Sequence, residues 1–562
     1  MLLTIGAAGL YAVWSFIVPV LEAPDEPQHW QYARLLHELH ALPVYSPAAI
    51  EANQPPLYYL LIAPAARRTA LPHIAHYFNG IDQLQAPFLP RFFQDARGDL
   101  ARYWPVRSAR LLTAVWCALA VPFAYLAGFE ATRRRTTALL AAALVGTWPQ
   151  FAFRAATLSS DGFVGMTGAG VVWLSLATAR RGCHPVRTAL AGALLAAAYL
   201  SKINAIGLAP ALLVAFALAP DTRRTRIVHA VGAFGLAAIL VLPWSLRNVQ
   251  LYGDPFASGA MHTAVAGLIA TKSLFSRYFL WIFPSRLAHS FIAFFGWLSL
   301  KPPLAVSLAY AALLALGAVG LARRVQRDRR IPAAVLVSLA GVLGMIAVVI
   351  RINLQFDQPQ GRYLLPGIAP LMIMTAVGLQ SWWDSTPEQD ARGTRLAVGA
   401  LIAAHLALLF GFVAPAYRKV STPRPSTVDI VMTPETVSGP EAVPADRPHF
   451  WDADANTVVR FRVDVDTDDV SFFGAQLSSQ GGGRVLHGRV TFVRSDGVQG
   501  SQDLDWAADG KSRDVWAALR THPAWSGRLT SLTLQLSIER VDPLPVRLGN
   551  LRVLGNLGSF AY

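Results

Sequence analysis

The residues whose types and spacing best suit chemistry lie between Glu22 and Tyr59, in EAPDEPQHWQYARLLHELH and, after a short gap, EANQPPLYY. Asp25 and Glu26 are adjacent acids with His29 close behind, and a carboxylate so placed can take a proton from an attacking hydroxyl. Asp25 with Gln28 also reads as a capping box, and Pro27 suits a first helical turn. One acid can cap while the other works. Glu51, Gln54 and Tyr58 flank the stiff pair Pro55–Pro56, which reads equally well as a helix entry. Tyr32, Leu35, Leu36 and Leu39 recur at helical spacing and predict a helix with one apolar stripe, lying on a membrane surface or across the top of a bundle.

The elements that must position these residues span a membrane. The chain has 562 residues, 54% of them hydrophobic and 15% charged, with a mean hydropathy of +0.38. Apolar segments fall near 2–21, 108–129, 136–153, 162–179, 188–201, 204–219, 227–246, 303–322, 331–350, 363–381 and 396–415. They predict an α-helical polytopic membrane protein with about eleven spans. The net charge of +15 is concentrated in clusters between these segments: Arg133–Arg135, Arg180/Arg181/Arg187, Arg223/Arg224/Arg226 and Arg323/Arg324/Arg327/Arg329/Arg330. That is the positive-inside pattern, so the charge reports topology and not a nucleic-acid partner. It places the N-terminus in the cytoplasm and the C-terminal region outside a bacterial inner membrane. The first segment lacks a basic flank and a small-residue cleavage site, and reads as a retained helix. Two cysteines, Cys117 and Cys183, exclude a disulfide framework.

Two stretches break the simple pattern. Segment 188–219 must go out and back within some thirty residues, too few for two full crossings. The turn Ser201–Lys202–Ile203–Asn204 is therefore expected below the outer surface, in a protein-lined cavity. Stretch 252–302 is aromatic but interrupted by Lys272, Arg277, Pro284, Arg286 and Lys301. It reads as outer loops and interfacial helices. The expected domains are a membrane part over 1–415, with its first outer loop at 22–107, a linker over 416–444, and an outer β-sandwich over 445–562. Alternating runs such as Val458–Val465, Arg489–Val493 and Leu532–Leu536 carry that last expectation. Trp451, Trp506, Trp516 and Trp525 are its candidates for stacking on sugar faces.

Several motifs together resemble the polytopic GT-C glycosyltransferases, in particular the protein mannosyltransferase and lipid A aminoarabinose transferase type. They are the acidic pair, PPLYY, Arg110–Leu111–Leu112, Ser159–Ser160–Asp161, Leu200–Ser201–Lys202, Pro243–Trp244–Ser245–Leu246–Arg247–Asn248 and Gln360–Gly361–Arg362–Tyr363–Leu364–Leu365–Pro366. The last two are especially similar to bacterial membrane glycosyltransferases without an assigned substrate. The C-terminal domain loosely resembles the carbohydrate-binding sandwiches of some cell-wall arabinosyltransferases. The resemblance implies transfer of a sugar from a polyprenyl-phosphate donor to a cell-envelope glycan, lipid or protein on the outer face, with inversion. The departing phosphate then needs cations, for which Lys202, Arg247 and Arg362 are candidates beside Gln360. It also implies a base in the first outer loop, Asp25 in preference to Glu26. Asp161 would be a second acid, with Glu51 as substitute and an N-cap as its bland role. Some relatives bind a divalent metal through such acids, so Asp25 and Asp161 are the metal-ligand candidates and the cofactor stays open. The competing readings are an undecaprenyl-linked glycan ligase or polymerase and, from another class, a lipid flippase or transporter. Absence of an internal repeat and gathering of the polar motifs at one face weigh against transport. The sequence contains no Walker A motif, which weighs against direct use of ATP.

Overall fold

A computed structural model describes residues 2–20, 23–46, 49–66, 104–260, 272–296, 300–356, 358–383 and 386–421, and most of 429–554 outside several short gaps. Each of the eleven apolar segments contains helix. Seven helices are long and apolar enough to cross a membrane: Trp104–Thr132, Ser160–Arg181, Arg223–Tyr252, Leu304–Asp328, Ala333–Asn353, Gly361–Gln380 and Pro387–Tyr417. An eighth candidate, Arg135–Gly146 with Pro149–Ala155, is bent by 62° where Pro149 cannot continue the helical hydrogen bonding. Leu2–Ile17, Pro185–Ser201 and Ile203–Leu218 are apolar but shorter. The expected count of about eleven crossings thus reduces to seven or eight helices of spanning length among the described residues.

Ser160–Arg181 is the central helix, with 94% of its apolar window buried, whereas Arg223–Tyr252 and Leu304–Asp328 have only 17% and 22% buried. The difference follows from sequence. DGFVGMTGAG supplies small residues that let neighbouring backbones approach closely. A Cβ on Gly168 would sit 2.4 Å from the Pro366 carbonyl oxygen. This close fit docks the central helix against the turn Gly361–Gly367, which is a 3₁₀ segment. The outer helices instead present Leu, Val and Ile to the surrounding lipid.

The expected short hairpin is present. Helix Pro185–Ser201 stops at Lys202, which is extended, and the chain returns through the 3₁₀ turn Ile203–Leu208 into Ala209–Leu218. The Asn204 side-chain amide donates to the Tyr363 carbonyl at 2.9 Å. Two short turns, one from each half of the membrane part, are thereby pinned together.

In the first outer loop the helix runs from Glu26 to Leu39. Its buried residues are Glu26, Pro27, His29, Trp30, Tyr32, Ala33 and Leu36, while Leu35 is half-buried and Leu39 is 56% exposed. Tyr32 and Leu36 of the expected stripe are thus buried, but the buried face is turned away from Leu35 and Leu39 toward Glu26, His29 and Ala33. Buried polar partners, described below, decide the rotation in place of leucine periodicity. The described part of 252–302 includes a π-turn at Tyr278–Ile282 and helix Phe283–Ala293, neither of spanning length.

The C-terminal part is antiparallel β throughout its described pairings. One sheet has Val546–Leu554 paired with Asp429–Val431, Phe450–Ala453 and Phe472–Ser479, with Arg513–Ala518 beyond. The other runs Thr436–Ser438, Val458–Asp466, Arg528–Ile538, Arg484–Arg494 and Gln499–Ala508. Val459, Phe461 and Val463 are buried on alternate positions of one strand, as the period-two pattern requires. Trp525 and the side chains of Trp451, Trp506 and Trp516 lie outside the described residues.

Candidate active site

Asp25 does not cap its helix. It precedes the first turn at φ 63°, with no side-chain hydrogen bond to the helix. A left-handed aspartate is uncommon and carries a strain cost. Its carboxylate turns to Arg362, with Nη1 2.5 Å from Oδ2. The side chain keeps 34% of its surface exposed. Burial opposes its charge, but the Arg362 guanidinium, with help from Arg154, holds the carboxyl below its usual range. The capping reading is therefore corrected: nothing at the helix start accounts for this acid.

Glu26 has a different environment. Arg110 grips it with two nitrogens, Nε to Oε1 at 2.6 Å and Nη2 to Oε2 at 2.5 Å, and both side chains are fully buried. The Leu158 amide donates to Oε1 at 2.9 Å. Arg110 also donates to the carbonyls of Ser15, Val18 and Pro19. This fork ties the end of the first helix, the outer-loop helix and the approach to the central helix into one joint. Glu26 Oε1 accepts two of these bonds and Oε2 one, and the fully buried ion pair with Arg110 makes Glu26 a structural partner in place of a base.

Asp161 is also not an N-cap. Ser159 fills that role, accepting from the Asp161 amide at 3.1 Å. The Asp161 carboxylate is fully buried and gathers cations. Arg154 reaches Oδ2 at 2.7 Å, Lys202 reaches Oδ1 at 2.5 Å, and Arg362 Nη1 stands 3.7 Å from Oδ2. Arg362 therefore bridges the two aspartates. Arg154 also donates to the Pro24 carbonyl, beside Asp25. Lys202 and Arg362 both lie over the Tyr363 ring, at 5.1 and 5.2 Å from its centroid. Three cations against two carboxylates leave the cluster with one net positive charge.

Around this cluster, the His29 ring stands 2.8 Å from the Tyr59 hydroxyl through Nδ1, while buried Nε2 has no hydrogen-bond partner among the described residues. Tyr59 in turn stacks on Tyr32 at 3.9 Å. Burial, reinforced by Lys202 and Arg154, pushes His29 down to about 3, so the imidazole is neutral at physiological pH. Burial and the charges of Asp25 and Asp161 push Glu51 up to about 8. The two outer-loop carboxyls, Asp25 and Glu51, are thus driven apart.

The remaining candidates are placed as follows. The Tyr58 hydroxyl accepts from the Ser159 amide at 2.9 Å and meets Thr113 at 3.1 Å. That makes Tyr58 a support for the start of the central helix. The backbone carbonyl of Gln54 accepts from Tyr32 at 3.3 Å. Arg247 does not join the aspartate cluster. Its Nη2 donates to the carbonyls of Leu42 and Pro43, at 3.2 and 2.8 Å, and so ties the outer loop to the helix Arg223–Tyr252. Gln360 donates to Gln358 at 2.6 Å at the mouth of the Gly361–Gly367 turn.

Arg154, in the aspartate cluster, and Arg110, in the joint beside it, are the charged residues missing from the candidates read in sequence. Arg154 had a signal: a cation at the end of an apolar run, followed seven residues later by an acid. Such a charge is expensive near a bilayer unless it has a partner.

The donor set does not fit a divalent ion at Asp25 and Asp161. Both oxygens of Asp161 are turned to Arg154, Lys202 and Ser159 and Asp25 Oδ2 to Arg362, so the lone pairs a metal needs are taken up and the three cations repel its charge. Among the described residues, no group of three or more His, Cys, Asp or Glu side chains is arranged to hold a metal ion.

Residues 86–245 match the family model of dolichyl-phosphate-mannose-protein mannosyltransferase. The match covers less than a third of the chain and includes Arg110, Arg154, Asp161 and Lys202. No curated protein matches the chain. Among solved structures, it is similar to ArnT from Cupriavidus metallidurans bound to undecaprenyl phosphate, at 15% identity and TM-score 0.46, over 74% of this chain and 68% of that one. It is also similar to the apo oligosaccharyltransferase of Archaeoglobus fulgidus, at 14% identity and TM-score 0.42, over 75% and 57%. A third likeness is to the arabinosyltransferase EmbB from Mycobacterium smegmatis, at 11% identity and TM-score 0.37, over 99% and 64%. On the family-model match over residues 86–245, the resemblance to the GT-C glycosyltransferases is borne out.

Proposed function

We propose that the chain is a glycosyltransferase that moves a sugar from a polyprenyl-phosphate donor to a cell-envelope acceptor at the outer face of a bacterial inner membrane. The observation that carries this reading is the bridge Asp25–Arg362–Asp161, with Lys202 and Arg154 on the second carboxylate. An anionic leaving group and an attacking hydroxyl need a cation and a carboxylate side by side, and this cluster has both.

Lys202 and Arg362 receive the donor phosphate, one as a point charge and the other through its fork. Asp161, itself gripped by Arg154, holds them in place. Before the donor arrives, Arg362 keeps Asp25 ionised and weakly basic. Once the phosphate takes the guanidinium, the field on Asp25 falls and its basicity rises as the acceptor hydroxyl attacks. The sugar–oxygen bond to phosphate breaks on the face opposite attack. The acceptor proton passes to Asp25, and the negative charge left on phosphate stays on Lys202 and Arg362.

The central helix supports an orientation. Asp161 stands at its first turn and Arg180–Arg181 at its last, roughly 30 Å apart for 22 residues at 1.5 Å each. If the arginines face the cytoplasm, the aspartate cluster faces out, with the N-terminus inside and the β-domain outside.

Asp25→Asn tests the proposal. Transfer from a polyprenyl-phosphate sugar in membranes should fall by roughly 10²- to 10⁴-fold, the usual contribution of a general base, while the folded protein persists. Wild-type transfer by that variant would remove the assignment.

A further inference from the structure

The segment 272–303 contains Lys272, Arg277, Arg286 and Lys301 and no aspartate or glutamate. Its described part has two faces. Phe279 and Phe283 are buried in a cluster with Val349 and the partly buried Tyr363 and Leu364. On the other side Phe275 is 87% exposed and Trp281 74%, with Leu280 beside them. Arg277 is exposed and Arg286 half-buried, and neither makes an ion pair among the described residues.

The depth of this element is fixed. The Lys272 amide donates to the Leu354 carbonyl at 3.2 Å, and the Tyr278 hydroxyl donates to Asn353 at 2.8 Å. Asn353 ends the 21-residue helix Ala333–Asn353, whose start follows the Arg323–Arg330 cluster. At 1.5 Å per residue the element therefore stands roughly 30 Å from that cluster, about one hydrocarbon thickness. The helices Leu304–Asp328 and Ala333–Asn353 expose Leu304, Leu308, Leu339 and Leu343.

We infer that residues 273–293 form an in-plane element seated in the outer-leaflet interface, with Phe275 and Trp281 among the lipid chains and Arg277 and Arg286 on anionic phospholipid headgroups. An acid-free, basic and aromatic amphipathic stretch is the composition such a seat requires. The commitment to anionic lipid comes from charge. Four basic residues stand in a stretch without a single acid, at the one level where lipid phosphates lie. Through Phe279 and Phe283 the seat borders the turn carrying Arg362.

The test uses the full chain in vesicles of phosphatidylcholine, with or without phosphatidylglycerol. Phe275→Cys and Trp281→Cys, each in a Cys183→Ser background, are labelled with a fluorophore; Cys117 is buried and unreactive. Nitroxides high on the lipid chain should quench both labels more than deep ones, and aqueous iodide should quench them weakly. Strong iodide quenching without lipid quenching would overturn the seat and mark the face as water-exposed or a protein contact. Phe275, the more exposed position, keeps the test intact if Trp281→Cys fails to fold. Association of spin-labelled phosphatidylglycerol over phosphatidylcholine should fall roughly fivefold or more in Arg277→Gln/Arg286→Gln, given the attraction of each basic residue to an anionic surface. Unchanged selectivity would overturn the headgroup assignment.

Discussion

Glu51 and Glu26 show how far neighbouring carboxyls can diverge in one outer loop. Glu51, pushed up to about 8, is neutral at pH 7 and gains its negative charge as the pH rises through that value. A new charge beside Asp25 competes for Arg362 and repels a donor phosphate. Transfer should therefore decline above roughly pH 8. Glu51→Gln, fixed in the neutral form, should retain activity at pH 7 and lose that alkaline decline, as a pH–rate profile of the two proteins would reveal. An identical decline in the variant would assign it to another group. Glu26 is tied instead to Arg110, with no water access for either side chain. Removing one partner strands a buried charge, so Glu26→Ala should destabilise the protein by about 3 to 5 kcal/mol. Glu26→Leu/Arg110→Met should cost less, because no unpaired charge remains. Thermal unfolding of the purified variants compares the two; a Glu26→Ala protein as stable as the wild type would refute the pair's structural role, and a double variant weaker than the single one would assign the larger share to the Arg110 bonds with the Ser15, Val18 and Pro19 carbonyls.

At the scale of elements, two short turns carry the site, and their placement depends on glycine. A Cβ on Gly361 would meet the Phe291 amide nitrogen at 2.1 Å, and this glycine's own amide donates to Ser290 at 2.8 Å. Gly361→Ala should displace the Arg362 turn and lower transfer by an order of magnitude or more, since small misplacement of positioning groups is costly. Wild-type turnover would mean that the turn accommodates the methyl group. The spans, the short hairpin and the alternating strands were legible in sequence because hydropathy and period-two patterning report burial directly. The convergence of Asp25, Asp161, Lys202 and Arg362 was legible only as a list of residues at one membrane face. Its arrangement depends on contacts across more than three hundred residues, which no local pattern encodes. The rotation of the outer-loop helix was misread for a related reason. Apolar spacing favoured Leu35 and Leu39, whereas the bond between Glu26 and Arg110 set the buried face. Arg247 was misplaced because a cation at the end of an apolar run fits phosphate binding and loop tethering equally well.

Across the whole molecule, the site lies at the ends of helices whose other ends bear the arginine clusters. Glu130 pairs with Arg180 and Arg181 at that second end, so both ends of the central helix are fixed by ion pairs. The central helix thus carries ion pairs at both ends, and the aspartate cluster at its start keeps one net positive charge, which under the proposed function meets an incoming anion. That surplus charge is the central claim, and binding of undecaprenyl phosphate to the purified protein tests it most directly. Charge-assisted hydrogen bonds contribute about 1.5 to 3 kcal/mol each, so Lys202→Ala and Arg362→Ala should each weaken binding by roughly tenfold or more. Arg362→Lys, which keeps the charge and loses the fork, should fall between. Wild-type affinity in Lys202→Ala and Arg362→Ala proteins that remain folded would contradict the claim.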